Sequence, residues 1–268
     1  MDEDTIDESI SVLVISDLRE SLSDVALKKV QDYIAKGGNL FILGEYGRRE
    51  NMNKLTAPLG VKFSDGVLVN KNEYTSPTVL VGYFTKDAAQ RFPMYEKLQK
   101  YGYVVALPTS VALDYSNVQD FEVIPVLVSD KTAWLEKETI DFVDGEFVCN
   151  PETGEEMGEY TVLLTMNRRV GNKEQRIVIS GDSDFIANEA LTSQFTGISA
   201  SNYSIINGSF RWLSYEHFPI DTRRVDTIDS RIRLPKGCRS IVNWFCMGIF
   251  PLSIMGVGIV TIFRRQRK

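Results

Sequence analysis

The amino-acid sequence predicts an α/β unit built on a parallel sheet with a β-hairpin extension, followed by one C-terminal membrane-spanning helix. Three observations lead there. Ile10 to Ile15 and Leu40 to Leu43 are apolar runs of strand length, and between them Val25, Leu27, Val30 and Ile34 recur at helical spacing. A strand, helix and strand of those lengths form a parallel βαβ unit with a right-handed crossover. Finally, Ser240 to Phe263 runs for 24 residues without Asp, Glu, Lys, Arg or His, which at ~1.5 Å per residue gives about 36 Å of helix, enough to cross a bilayer.

The elements follow in order. Ser23 or Asp24 caps the first helix, expected from Ser23 to Lys36, and Gly37 and Gly38 stop it. Thr78 to Tyr83 and Tyr103 to Leu107 read as strands around a helical segment, Lys86 to Lys100, that Pro93 interrupts. Phe121 to Val128 is a further strand, and the Gly-, Asp- and Glu-rich stretch from Asp141 to Glu159 is a loop or edge hairpin. Tyr160 to Met166 and Arg176 to Ser180 form a hairpin whose turn carries Gly171 and Asn172. A last helix spans Tyr203 to Tyr215, with Ile205, Ile206, Phe210, Trp212 and Leu213 facing a core. The organisation expected is an α/β domain over 1–218, a juxtamembrane linker over 219–239, a transmembrane helix over 240–263 and a basic cytoplasmic tail over 264–268. Trp244, Gly248, Gly256 and Gly258 belong to the anchor, where the glycines either allow close helix approach or are tolerated membrane glycines. Arg264, Arg265, Arg267 and Lys268 make the tail, which suits anionic lipid headgroups of the bilayer.

Charge divides the chain in the same way. All 36 acidic residues lie before position 230, while eight of the 30 basic ones lie after it. An acidic domain with no basic, aromatic-interleaved patch excludes nucleic acid as a partner. Three cysteines, Cys149, Cys238 and Cys246, have neither disulfide-framework nor zinc spacing. The acidic start, Met1 to Glu8, lacks the basic and apolar regions of a secretory signal.

The catalytic motifs are sparse. No G-x-x-x-x-G-K-[ST] and no dinucleotide fingerprint is present in the domain, so any ATP hydrolysis falls to another chain. The one histidine, His217, stands at the end of the last helix, where it complements the helix dipole, and no G-x-S-x-G elbow supplies it with a nucleophile. Cys149 reads as a half-buried strand-end thiol. The best polar cluster is Gly181-Asp182-Ser183-Asp184 after a strand, with Asp17 after the first strand. Asp182, Asp184 and Asp17 are candidates to hold a ligand or a hard cation, since open α/β sheets bind ligands at the carboxyl ends of their strands. The other reading is that Asp182 to Asp184 form a turn and cap the next helix. No cofactor is implied by any motif.

The run Arg-Ile-Val-Ile-Ser-Gly-Asp-Ser-Asp-Phe-Ile-Ala-Asn from Arg176 resembles the gliding-motility-associated ABC transporter auxiliary proteins, the GldG-like family. So do Asn207 to Trp212 in a helix, Lys36-Gly-Gly-Asn-Leu-Phe-Ile-Leu, and Ser129 to Glu138 with Trp134. The resemblance covers most of the chain. It implies a flavodoxin-like or class I glutamine-amidotransferase-like α/β domain outside the bacterial cytoplasmic (inner) membrane, and a non-enzymatic auxiliary role beside an ABC-2 type permease and a separate ABC ATPase. Family members usually carry an N-terminal membrane segment and a further domain, so the resemblance reads this chain as a C-terminal part. Basic residues flanking the apolar run tie at four against four, and an inward tail is favoured by the membrane potential. A tail-anchored protein with its domain in the cytoplasm is the opposing topology. Two other functions stay open: a membrane-anchored ligand-binding module without a transporter, and a hydrolase using the Gly181 to Asp184 loop.

Overall fold

The computed structural model of the chain describes residues 6–7, 9–71, 76–138, 141, 145–191, 200–218 and 244–266. The chain divides into a unit over 1–220 and a second over 221–268.

The first unit begins as its apolar spacing predicts. Strand β1 (Leu13–Ser16), helix α1 (Asp24–Ala35) and strand β2 (Leu40–Leu43) form the βαβ unit, with β1 and β2 paired in parallel. The Ser23 side chain accepts from the Ala26 amide (3.2 Å) and starts α1. Its end is a Schellman turn: the Gly38 amide donates to the Tyr33 carbonyl (3.0 Å) and the Gly37 amide to that of Ile34 (3.1 Å). Gly37 has φ +84°, which a side chain would resist.

After α2 (Arg49–Thr56), two short strands, β3 (Lys62–Phe63) and β4 (Val67–Val69), lead to β5 (Val79–Phe84). Pro93 divides the next helical stretch, as expected, into α3 (Lys86–Arg91) and α4 (Pro93–Lys100), where proline sits in the first turn with no amide to satisfy. Then come β6 (Val104–Pro108), β7 (Leu113–Asp114), β8 (Glu122–Val128) and β9 (Trp134–Glu136). The long hairpin β10 (Thr161–Val170) and β11 (Lys173–Ser180) turns at Gly171, φ +59°. A 3-10 turn, Asp184–Ile186, the short α5 (Asn188–Leu191) and α6 (Asn202–Leu213) close the unit.

The main sheet has seven strands in the order β1-β2-β11-β10-β8-β5-β6. This corrects the flavodoxin-like or class I glutamine-amidotransferase-like parallel sheet. Only β1, β2 and β11 run parallel, and β10, β8, β5 and β6 are paired antiparallel. The hairpin is no extension. Its tight turn forces β10 antiparallel to β11, so the hairpin sits mid-sheet, and from β10 on each strand runs opposite to its neighbour. Two short pairs, β3 with β7 and β4 with β9, stand outside this sheet and carry no strong period in the sequence.

Both faces of the central strands are covered. Leu40 and Ile42 of β2 pack with Val30, Tyr33 and Ile34 of α1 and Met52 and Leu55 of α2. Phe41 and Leu43 point the other way, into a cluster with Phe92, Tyr95, Ile205 and Trp212. Strands buried on both faces read as continuous apolar runs, which is why β2 and β11 stand out in the sequence. Each such side chain contributes roughly 1.5–3 kcal/mol when fully buried.

The membrane-spanning helix expected over Ser240 to Phe263 is also corrected: among the described residues no helix is long and apolar enough to cross a membrane. In the second unit Phe245–Ile249 forms a π-helical turn, followed by α7 (Phe250–Gln266), a helix of 17 residues. Arg264 and Arg265 end its apolar part, so Phe250 to Phe263 rises about 21 Å, short of the ~30 Å hydrocarbon thickness. Trp244 is exposed, Gly248 lies in the π turn, and a Cβ at Gly256 or Gly258 would meet nothing within 4 Å. The expected linker over 219–239, residues 240–243, and Arg267 and Lys268 of the tail lie outside the described residues.

Candidate functional site

The three parallel strands end side by side, and their carboxyl ends deliver the acidic residues that the sequence singles out. β1 runs into Asp17, β2 into Gly44 and Glu45, and β11 into Gly181, Asp182, Ser183 and Asp184. The approach of these loops is close. The Val111 amide donates to the Gly181 carbonyl (2.9 Å), and the Gly181 amide donates to that of Val162 (2.8 Å). A Cβ at Gly181 would stand 1.9 Å from the Val111 carbonyl oxygen, so only glycine fits.

Asp182 is fully buried. Its Oδ1 accepts from the amides of Asp184 (2.6 Å) and Phe185 (3.0 Å), which is the capping geometry that the turn reading of this loop requires. Its Oδ2 is buried without a hydrogen-bond partner. Burial first, and then the charge of Glu45, push the Asp182 carboxyl well above the usual range.

Glu45 is the residue that the sequence reading missed. Its Oε1 accepts from the Thr109 hydroxyl (2.7 Å) and the Tyr46 amide (3.0 Å). Its Oε2 accepts from the Ser183 hydroxyl (3.0 Å) and amide (3.3 Å). Burial raises its pKa, the bonds from Thr109 and Ser183 oppose that, and the charge of Asp184 adds to the rise. The signal was available: Glu45 stands two residues beyond an apolar strand, where the carboxyl ends of parallel strands are expected. Thr109 carries no such mark. It holds φ +55°, unfavourable for a β-branched residue, and is fixed there by Glu45 and by its amide bond to the Thr78 carbonyl (2.9 Å).

Asp17, at φ +43°, lies at the rim and pairs with Arg19 (2.7 Å) and Arg48 (2.9 Å). Partial burial pulls its pKa up, but the two guanidinium bonds outweigh this and hold it below the usual carboxylate range. The exposed Arg19 also senses the charge of Asp184, so Asp17 and Asp184 border one arginine. The structure therefore brings Asp17, Asp182 and Asp184 to one end of the sheet, with Asp17 tied to arginines and Asp182 to backbone amides. Among the described residues no three His, Cys, Asp or Glu side chains are grouped so that they could hold a metal ion. His217 and Cys149 take no part: the His217 Nδ1 contacts the Ser214 carbonyl (2.8 Å), and the Cys149 thiol faces the Glu155 carbonyl (3.7 Å).

A family model described as ABC-type uncharacterized transport system matches residues 1–205. The chain belongs to this family. It is accordingly an auxiliary component of an ABC-type transport system, and the match spans β1 to the start of α6, carboxylate loops included. No curated protein matches the chain. Among solved structures, the mmIFT52 N-terminal domain is similar, with a TM-score of 0.54 at 15% identity over 77% of this chain and 78% of that one. Likeness at that identity concerns the fold alone.

Proposed function

We propose that this transport-system family member is a GldG-like, non-enzymatic subunit that acts through its α/β unit, docking on an ABC-2 type permease that a separate ATPase drives. The observation that carries this reading is the state of the carboxylates at the strand ends. Both Glu45 oxygens and Oδ1 of Asp182 are held by donors of the same unit, so the residues best placed for acid–base chemistry serve as struts. The sequence agrees, since it offers no nucleophile elbow and no P-loop. The GldG-like resemblance supports a position at the outer face of the bacterial cytoplasmic membrane, held there by contacts with the permease.

The test is purification of the tagged chain from its own cells in mild detergent. Permease and ATPase should co-purify at fixed stoichiometry, and a chain that comes through alone would overturn the proposal. Protease treatment of intact spheroplasts checks the position, because complete protection of the α/β unit would exclude the outer face.

A further inference from the structure

The main sheet ends on two short strands, β1 and β6, and the structure treats its two edges differently. At β6 the edge is closed. The Asn202 side chain donates to the Ala106 carbonyl (2.8 Å) and accepts from the Ala106 amide (2.9 Å), and the Ser201 amide donates to the Val104 carbonyl (2.8 Å). The start of α6 thus takes up the outward backbone groups of Val104 and Ala106, which is one way of covering an edge.

At β1 nothing corresponds among the described residues, where no strand lies beyond it. The Leu13 amide donates to the Asn39 carbonyl (2.9 Å) and the Asp17 amide to that of Leu43 (3.1 Å). The odd-numbered residues therefore face β2, and the backbone groups of Val12, Val14 and Ser16 point away from it. Edge strands are commonly blunted by a charge, a proline or a bulge. Leu13–Ser16, in unbroken register with β2, has none of these. Val12 still packs against the Phe41 cluster, whereas Val14 is 43% exposed.

We propose that β1 pairs antiparallel with β1 of a second copy of this chain, about a two-fold axis at Val14. Two properties of the edge select a second copy. The register is self-complementary: Val14 meets Val14 and Val12 meets Ser16, so the outward-facing residues on both sides pair at once and no charged side chain opposes another. The nearest charges, Asp17 and Arg19, are paired with each other (2.7 Å) and lie toward Ser11 and Ser9 of the second copy. The edge is also the one open end of the main sheet among the described residues. Pairing there completes a closed, isologous dimer, whereas a sheet open at both ends can go on adding copies. This dimer is independent of what the unit docks on.

Equilibrium sedimentation of the full chain in mild detergent tests the pairing with Val14→Lys and Val14→Glu. The parent chain is expected to be a dimer. Each variant alone sets two like charges against each other on the axis and should weaken the dimer about ten-fold. Its melting temperature should not change, because Val14 is an exposed edge residue. Mixed in equal amounts, the two variants should recover the parent's affinity, since opposite charges then face each other across the axis. Tyr101→Lys, at an exposed position just before the closed edge, should dimerise as the parent does. A parent chain that stays monomeric, Val14 variants that dimerise like the parent, a mixture no tighter than its components, or equal weakening by Tyr101→Lys would each overturn the proposal.

Discussion

Replacing Asp182 by Asn should abolish most of a pH dependence in the stability of the α/β unit. Burial, with the charge of Glu45 behind it, raises the folded pKa of Asp182 above the ~3.9 of an unfolded aspartate. The folded chain therefore keeps this proton to higher pH than the unfolded chain does. The stability so gained is complete below the unfolded pKa and is lost as pH rises through the folded one, by up to about 1.4 kcal/mol for each pH unit between them. Asp182→Asn retains an oxygen for the amides of Asp184 and Phe185 and has no proton to lose, so its curve should lie close to the parent at low pH and above it near neutrality. A residual slope of the same sign stays with Glu45, whose pKa is also raised by burial. Asp182→Ala, by contrast, leaves the buried Phe185 amide without an acceptor and should cost about 1–3 kcal/mol at every pH. Urea unfolding followed by tryptophan emission is the assay, because Trp134 and Trp212 are 2% and 8% exposed in this unit while Trp244 of the second unit is 74% exposed. Parallel stability curves for parent and Asp182→Asn from pH ~4 to ~8 would refute the argument.

Three further outcomes are expected of the same unit. Gly181→Ala forces a Cβ onto the Val111 carbonyl and endangers two backbone bonds, so it should destabilise by roughly 2–5 kcal/mol in urea unfolding. Asn39→Ala removes the bonds to the Leu213 carbonyl and the Arg176 amide, which lock α6 against β11. It should cost about 1–3 kcal/mol, and hydrogen exchange should rise first in α6. Ser23→Ala removes only the α1 cap and should cost about 1 kcal/mol, measured as a lower urea midpoint at unchanged slope.

The parts of the fold that could be read from the sequence are those whose signal is local. Ser23, Gly37 and Gly38 bound α1 because capping and the left-handed turn are decided within a few residues. Pro93 divides α3 from α4 for the same reason. Strand direction is not local: nothing within Arg176 to Ser180 tells whether this apolar run lies beside β2 or at the end of a hairpin extension, and it does the first. The site shows the same division. Asp182 and Asp184 are visible because they follow a strand directly, whereas Glu45 matters through Thr109 and Ser183, which come from segments distant in the chain. Over the C-terminal run, composition alone suggested a span, but among the described residues the π turn at Phe245–Ile249 and the arginines at 264 and 265 leave too little continuous apolar helix.

The place of β11 beside β2 sets an order on assembly. Leu40 to Leu43 pair with Ile177 to Ser180, so on the ribosome the first βαβ unit is made long before the strand that covers its open edge. Until then an uncharged strand, Leu-Phe-Ile-Leu, presents unpaired backbone groups, the kind of surface that pairs with the wrong chain. A nascent chain stalled before the hairpin should therefore be a substrate for chaperones, and folding of the whole unit should be slow, waiting on a contact that closes about half of the chain into one loop.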